Sequence, residues 1–263
     1  LNSPALITLT TDLGLKDNYV AAVKGAIFKQ LPEARIVDVT HEITKFNAFE
    51  AAFILRSVYR DFPEDSVHVI GVLPEETEAH PHLAIRCDGH YFVGTDNGIF
   101  SLLFDKRPDQ MVRIDLKRDS PINTFPTRDV FVKAACHLAR GGTLEVLGQE
   151  VESVNAKAMP KPVLEPNQIR GSVLYIDSYG NVISNISRKM FDDIGAGRRF
   201  SISFRKPGFD ISDLSESYSD VIVAERLALF GSNGLLEIAI SYGDASKLMG
   251  MEVNDMVSII FES

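Results

Sequence analysis

Apolar and polar positions along the chain switch between two periods. Leu6, Ile7 and Leu9, with threonines between them, read as a strand, and from Val20 the apolar residues fall at Val20, Val23, Ile27 and Leu31, one face of a helix. The polar turn between them carries Asp12, Gly14, Asp17 and Asn18, at the carboxyl end of the strand, where open α/β sheets bind ligands. Arg35 to Val39 repeats the strand pattern. Asn47 to Tyr59 repeats the helical one through Phe49, Phe53, Ile54 and Val58, with Asn47 as the expected N-cap. Ser66 to Val72 is the next strand, and this β-α-β-α-β order predicts a parallel sheet with helices packed on it.

The segment LPEETEAHPH that follows reads as a loop. Asp88-Gly89, between Leu83 to Cys87 and His90 to Gly94, is a tight hairpin signal. Thr127 is placed to cap a helix with Val130, Phe131, Ala134, Ala135 and Leu138 on its apolar face, ended by Gly141-Gly142. Periodicity is then lost over Val151 to Gln168, where Pro160, Pro162 and Pro166 fall. Beyond it come short β-branched runs at Ser172 to Ile176, Phe200 to Phe204, Leu236 to Ile240 and Met256 to Phe261. The expected architecture is an α/β domain over 1–155 with a largely parallel sheet, a linker over 156–168, and a small β-barrel-like domain over 169–263.

Composition narrows the function. With 27 basic and 36 acidic residues in a chain of 263, the formal charge is −9 and no segment concentrates Lys or Arg, which argues against a nucleic-acid partner. No apolar run reaches the roughly 20 residues of a membrane span. The amino terminus enters its first strand without a basic leader, and Cys87 and Cys136 form no CxxC pair, so a cytoplasmic protein is expected. His80 and His82 form an HxH pair beside Glu75, Glu76 and Glu78. Pro81 between them and the lack of a third ligand at a diagnostic spacing weigh against a metal.

Six ordered blocks carry a more specific signal: TTDLGLKDNYV from Thr10, IVDVTHEI from Ile36, FVGTDNGIF from Phe92, TFPTRDVF from Thr124, YIDSYGNVISNI from Tyr175 and GSNGLLEIAISYGDASKLMG from Gly231. Together they resemble the S-adenosylmethionine (SAM) hydrolase and halogenase family, which joins the SAM hydroxide adenosyltransferases to the fluorinase and chlorinase enzymes. The resemblance implies substitution at the ribose C5′ of SAM, without a cofactor, in a homotrimer.

By that resemblance Asp12 binds the ribose hydroxyls, Asp17 lies near the methionine part, and Phe46 supplies an aromatic wall. Asp177 and Ser232 hold the amino-acid end, Tyr179 stacks on adenine and Asn181 bonds to it, while Asn233 stands where the fluorinase has an Arg. On local grounds alone Asp17 reads equally as a helix cap, Thr127 more readily as a cap than as a halide contact, Phe46 as core, and Thr95 to Gly98 as a structural turn. The water-handling Asp, Arg and His of the family's hydrolases are replaced at the matching positions by Leu73, His80 and Pro126. Thr127 matches the serine that contacts halide in the fluorinase, so water, a halide or no nucleophile at all is compatible with this pocket. Thr127 and His80 are the candidate catalytic residues.

Overall fold

The computed structural model describes residues 6–116, 123–204 and 208–262; residues 1–5, from which the absence of a leader is read, lie outside them. The chain divides into two units, Leu1–Ala158 and Met159–Ser263. The first unit contains β1 (Leu6–Thr11), α1 (Tyr19–Gln30), β2 (Arg35–Thr40), α2 (Ala48–Arg56), β3 (Val67–Gly71), β4 (His82–Cys87), β5 (His90–Thr95), α3 (Ile99–Leu103), β6 (Gln110–Ile114), α4 (Val132–Ala139) and β7 (Gly148–Glu150). Its seven strands lie in the order β2-β1-β3-β5-β4-β6-β7. The first four pair in parallel, and β4, β6 and β7 add antiparallel pairings.

Alternation along the strands sends two sets of side chains to opposite faces. One face carries Ile7 and Leu9, Val67 and Val69, Val93, Ala84, Val112 and Ile114, packed with Val23 and Ile27 of α1 and with Phe131, Val132 and Ala135. The same alternation continues this face to the sheet's edge as Thr11, Gly71, Thr95 and His82.

The opposite face holds a buried ring cluster. His68 stacks on Phe92 at 4.9 Å, and Tyr59 sets its ring edge against both. His68 Nδ1 lies 2.7 Å from Thr8 Oγ1.

Local chemistry accounts for the element ends. Asn47 caps α2 by accepting from Glu50 N–H, as its sequence position predicts. Asp88 and Gly89 take φ of 51° and 79°, the left-handed pair that a two-residue hairpin turn demands. Bonds from Lys106, Tyr59 and Arg60 hold the Asp88 carboxyl well below the usual carboxylate range.

The second unit contains β8 (Val163–Glu165), β9 (Gln168–Ile176), β10 (Val182–Ser187), α5 (Arg188–Gly195), β11 (Phe200–Phe204), β12 (Arg226–Phe230), β13 (Leu235–Ile240), α6 (Ala245–Met249) and β14 (Met256–Phe261). The strands follow the order β11-β14-β9-β10-β13-β12, with β8 on β9, all antiparallel. The sheet curls into a half-barrel around Ile169, Val173, Val182, Ile238, Val257 and Ile259. Among the described residues no helix is long and apolar enough to cross a membrane.

Burial pushes the His68 pKa down to about 3 from 6.5, so the ring is neutral in the fold. Its depressed folded value means that the unfolded chain binds the extra proton. The contribution to stability is complete above about pH 6.5 and is lost as pH falls toward 3, at up to about 1.4 kcal/mol per pH unit. The melting temperature, followed by calorimetry, should fall between pH 6.5 and 4.5, and His68→Phe should flatten that limb.

Candidate active site

The polar residues of the first unit gather at the carboxyl edge of its parallel strands. Asp12 is buried just beyond β1, and its Oδ2 accepts the Phe46 N–H at 2.9 Å. Lys45 Nζ bonds to the Asp12 carbonyl. Gly14, at φ +70°, donates its N–H to His41 O at 2.7 Å. His41 is itself buried, with Nδ1 2.8 Å from Thr11 Oγ1 and Nε2 3.1 Å from Asp38 Oδ1. These bonds lace the loop after β1 to the loop after β2.

Two local alternatives fail here. Phe46 is not core: it adopts φ +67° and is 66% exposed, because its N–H is committed to Asp12 and its ring is turned outward. Asp17 caps nothing, since Asn18 occupies the N-cap position of α1 and makes no side-chain capping bond. Asp17 stands exposed on the loop.

The neighbouring edge is built on β3. Beyond Gly71 the chain turns through Leu73 at φ +47°, and Asn97 Nδ2 donates to the carbonyls of Val72 at 3.1 Å and Leu73 at 3.3 Å. His82 Nε2 lies 2.8 Å from Pro74 O, which can only accept, so that nitrogen carries the proton. The Asp96-Asn97-Gly98 turn thus holds a loop that the resemblance makes part of the site.

Thr127 does not cap its helix. Pro126, already helical at φ −58° and ψ −35°, takes the N-cap position, and Thr127 becomes the first residue of a π-helical turn over Thr127–Phe131 that leads into α4. Val132 N–H closes that turn on Thr127 O. Such turns recur at functional sites. Its side chain is driven onto β3: a Cβ built on Gly71 would lie 2.8 Å from Thr127 Cγ2 and 2.9 Å from Oγ1. The Thr127 hydroxyl is buried and has no hydrogen-bond partner among the described residues; the same holds for Thr95 and Thr10.

His80 lies elsewhere on the loop. It sits on an exposed turn in which its N–H donates to Thr77, and no hydrogen bond joins it to Thr127. Asn155 ties this turn down by donating Nδ2 to Ala79 O and its N–H to both carboxylate oxygens of Asp96. Burial raises the Asp96 pKa. His82, by contrast, is buried at the start of β4 with its ring edge-on to Phe131 at 4.8 Å. The strand begins only at His82, so the two histidines do not share a face. His82 and Val130 also border a polar cavity of about 340 Å³ with Glu76, Arg113, Asp115 and Gln149.

The second unit has its own cavity, about 920 Å³, lined among others by Asp177, Tyr179, Asn181, Tyr218 and Tyr242. Asp177 Oδ1 accepts the N–H groups of Tyr179 and Asn181 at 2.9 Å each, and Oδ2 accepts Asn181 Nδ2 at 3.0 Å. The carboxylate therefore shapes the turn that displays Tyr179, which is 78% exposed. Gly180 is required there: at φ +82°, its Cβ would fall 2.2 Å from the Asp244 carboxylate.

Two residues of this region escaped the sequence reading. Tyr218 donates its hydroxyl to Glu237 Oε1 at 2.6 Å. Burial, with Asp177 nearby, raises the Glu237 pKa. Glu237 was visible as the lone charge in the apolar run LLEIAI, whereas nothing in the polar stretch around Tyr218 marks it. Ser232 and Asn233 stand exposed on the turn between β12 and β13, outside the cavity lining, where Asn233 Oδ1 accepts Leu235 N–H at 3.0 Å.

A hydroxyl- and carboxylate-rich sheet edge in one unit, and an aromatic-walled cavity in the next, define a two-unit α/β protein with pockets of small-molecule size. Residues 7–148 match the SAM hydroxide adenosyltransferase N-terminal domain and residues 171–258 the C-terminal domain, and the chain belongs to the SAM hydroxide adenosyltransferase family. It is 29% identical to the (R)-S-adenosyl-L-methionine hydrolase of Methanocaldococcus jannaschii over 97% of this chain and 96% of that one. It is 23% identical to the fluorinase of Nocardia brasiliensis over 89% of both. The structure of an uncharacterized conserved protein from Thermotoga maritima superposes with a TM-score of 0.89 at 30% identity, covering 97% of this chain and 99% of the other.

Gly71→Ala should drive a methyl into the branched Thr127 side chain, which has no flexible end to yield. Thermal or urea unfolding should register a loss of about 1–3 kcal/mol, largely recovered when Thr127→Ala is added, as expected for two residues in contact.

Proposed function

We propose that this chain binds SAM, or an adenosine carrying a similar 5′ substituent, and catalyses displacement at the ribose C5′. The nucleophile forms a bond to C5′ while the C5′–S bond breaks. The bonding pair passes to sulfur, neutralising the sulfonium and releasing methionine. With water the product is adenosine and a proton is lost; with a halide it is a 5′-halo-adenosine. The leaving group is already good, so catalysis consists of holding the nucleophile in line and keeping the pocket dry.

The observation that supports this best is the Asp12 carboxylate. It is buried at the strand edge, with Oδ2 fixed by Phe46 and no hydrogen bond to Oδ1 among the described residues. A charged acceptor held in that way suits a vicinal diol, whose hydroxyls are donors. Asp177, Tyr179, Asn181, Ser232 and Asn233 would serve the adenine and amino-acid ends, and Asp17 and Phe46 the rim. His80, on its exposed turn, would contribute only if ligand binding brought it inward. The same proposal includes a cytoplasmic homotrimer that needs no cofactor.

A second function, ligand binding without turnover, is favoured by one observation. At the positions matching the family's water-handling trio, Leu73 and Pro126 have no side-chain proton acceptor, and the Leu73 carbonyl is already engaged by Asn97.

Incubation with SAM, with and without chloride, followed by chromatography against a protein-free control separates these functions. Adenosine or 5′-chloro-adenosine is expected; intact SAM from protein that binds it would establish the silent alternative. Asp12→Asn, which keeps an acceptor for Phe46 but loses the charge, should weaken SAM affinity by roughly 1–2 kcal/mol, about five- to thirtyfold. Unchanged affinity by calorimetry would refute the assignment of Asp12.

A further inference from the structure

The same face of the sheet that carries the core ends in a set of residues with no apolar role. Val69 and Val93 are register partners in β3 and β5, and two residues further on, on the same face, come Gly71 and Thr95. Thr95 is in turn the register partner of His82 in β4. Adjacent strands are about 4.8 Å apart. Thr127 lies directly over Gly71, so it and Thr95 come to the same face and the same edge of the sheet from neighbouring strand positions.

Both hydroxyls are essentially buried, at 0% and 1% exposure, and neither has a hydrogen-bond partner among the described residues. Buried hydroxyls are rarely left so, because desolvation without a bond is costly. Thr11, the third hydroxyl on this face, is taken by His41. Thr10, the other unpartnered one, lies on the opposite face by strand alternation. Gly71 supplies the room, since any Cβ there would enter the space occupied by Thr127. His82 walls the set, held by Pro74 O and Phe131, and itself borders the polar cavity with Val130.

We propose that Thr95 and Thr127 form a two-hydroxyl cradle for a single small polar species, water or halide, and that Thr95 is a positioning residue for the nucleophile. Leu73 and Pro126 provide no proton acceptor, so the cradle orients the nucleophile rather than deprotonating it. A hydroxyl can donate to a halide, and can donate to or accept from water, so one pair serves either species. The catalytic part of this role rests on SAM chemistry at this edge; the cradle itself does not.

Two measurements test it. Crystals of the full chain grown in chloride-free acetate buffer, and others soaked in sodium bromide with anomalous data, should place a solvent oxygen or a bromide within about 3.4 Å of both Oγ1 atoms. Bromide replacing the oxygen identifies a halide site and the same oxygen in both identifies a water site; either supports the cradle. Hydroxyls turned onto backbone carbonyls, with nothing between them, overturn it. In the SAM assay, Thr95→Val should lower kcat by roughly tenfold to a hundredfold with SAM affinity and melting temperature little changed, and Thr95→Ser should restore it. A Thr95→Val enzyme with parental kcat refutes the positioning role. If no form turns over SAM, the functional proposal fails while the crystals still decide the cradle.

Discussion

The contact between Thr127 and Gly71 is the constraint on which the first unit's polar edge depends. A helix can lie this close to a parallel strand only where the strand has no side chain. The π-helical turn at Thr127–Phe131 then points Thr127 and Phe131, four residues apart, toward the sheet. Phe131 fills the core and braces His82; Thr127 brings a hydroxyl where every neighbour deeper in the sheet is apolar. Packing and chemistry come from one turn of helix.

Around that contact the loops are held by side-chain-to-backbone bonds more than by side-chain pairs. Asn97 and His82 hold the Val72–Pro74 segment, Asn155 holds the Thr77–His80 turn through Asp96 and Ala79, and Asp12 holds Phe46. Leu73 and Phe46 both sit at positive φ, a strained conformation for residues with a Cβ. Strain of this kind persists where surrounding bonds over-determine it. In the second unit Asp177 plays the same part, since its two oxygens hold the turn that displays Tyr179 and Asn181 to the cavity.

By the resemblance, Leu73, Pro126 and His80 stand where the family's hydrolases carry an acid, a base and a cation, and the proposed reaction has to proceed without those groups. Displacement of a sulfonium tolerates that loss better than most reactions, because the leaving group needs no proton. For the proposed reaction, orientation and exclusion of bulk water remain the available levers, and the proposed pair of buried threonines would act through both.

Much of this was already determined by the sequence. Apolar period located β1, α1, β2, α2 and β3, Asp88-Gly89 announced its hairpin, Asn47 announced its cap, and six ordered blocks identified the family. Each depends on residues near one another in the chain, so local geometry suffices. Tertiary structure decided the rest. Asp17 and Thr127 carry the residue types of caps, yet helix phase at Asn18 and Pro126 assigned the cap positions elsewhere. Thr95 read as part of a turn, and His82 as half of an HxH pair whose intervening proline weighed against a metal. Their placement on one edge of the sheet with Thr127 depends on strand register and on a glycine in β3, over separations of some tens of residues that no local pattern records.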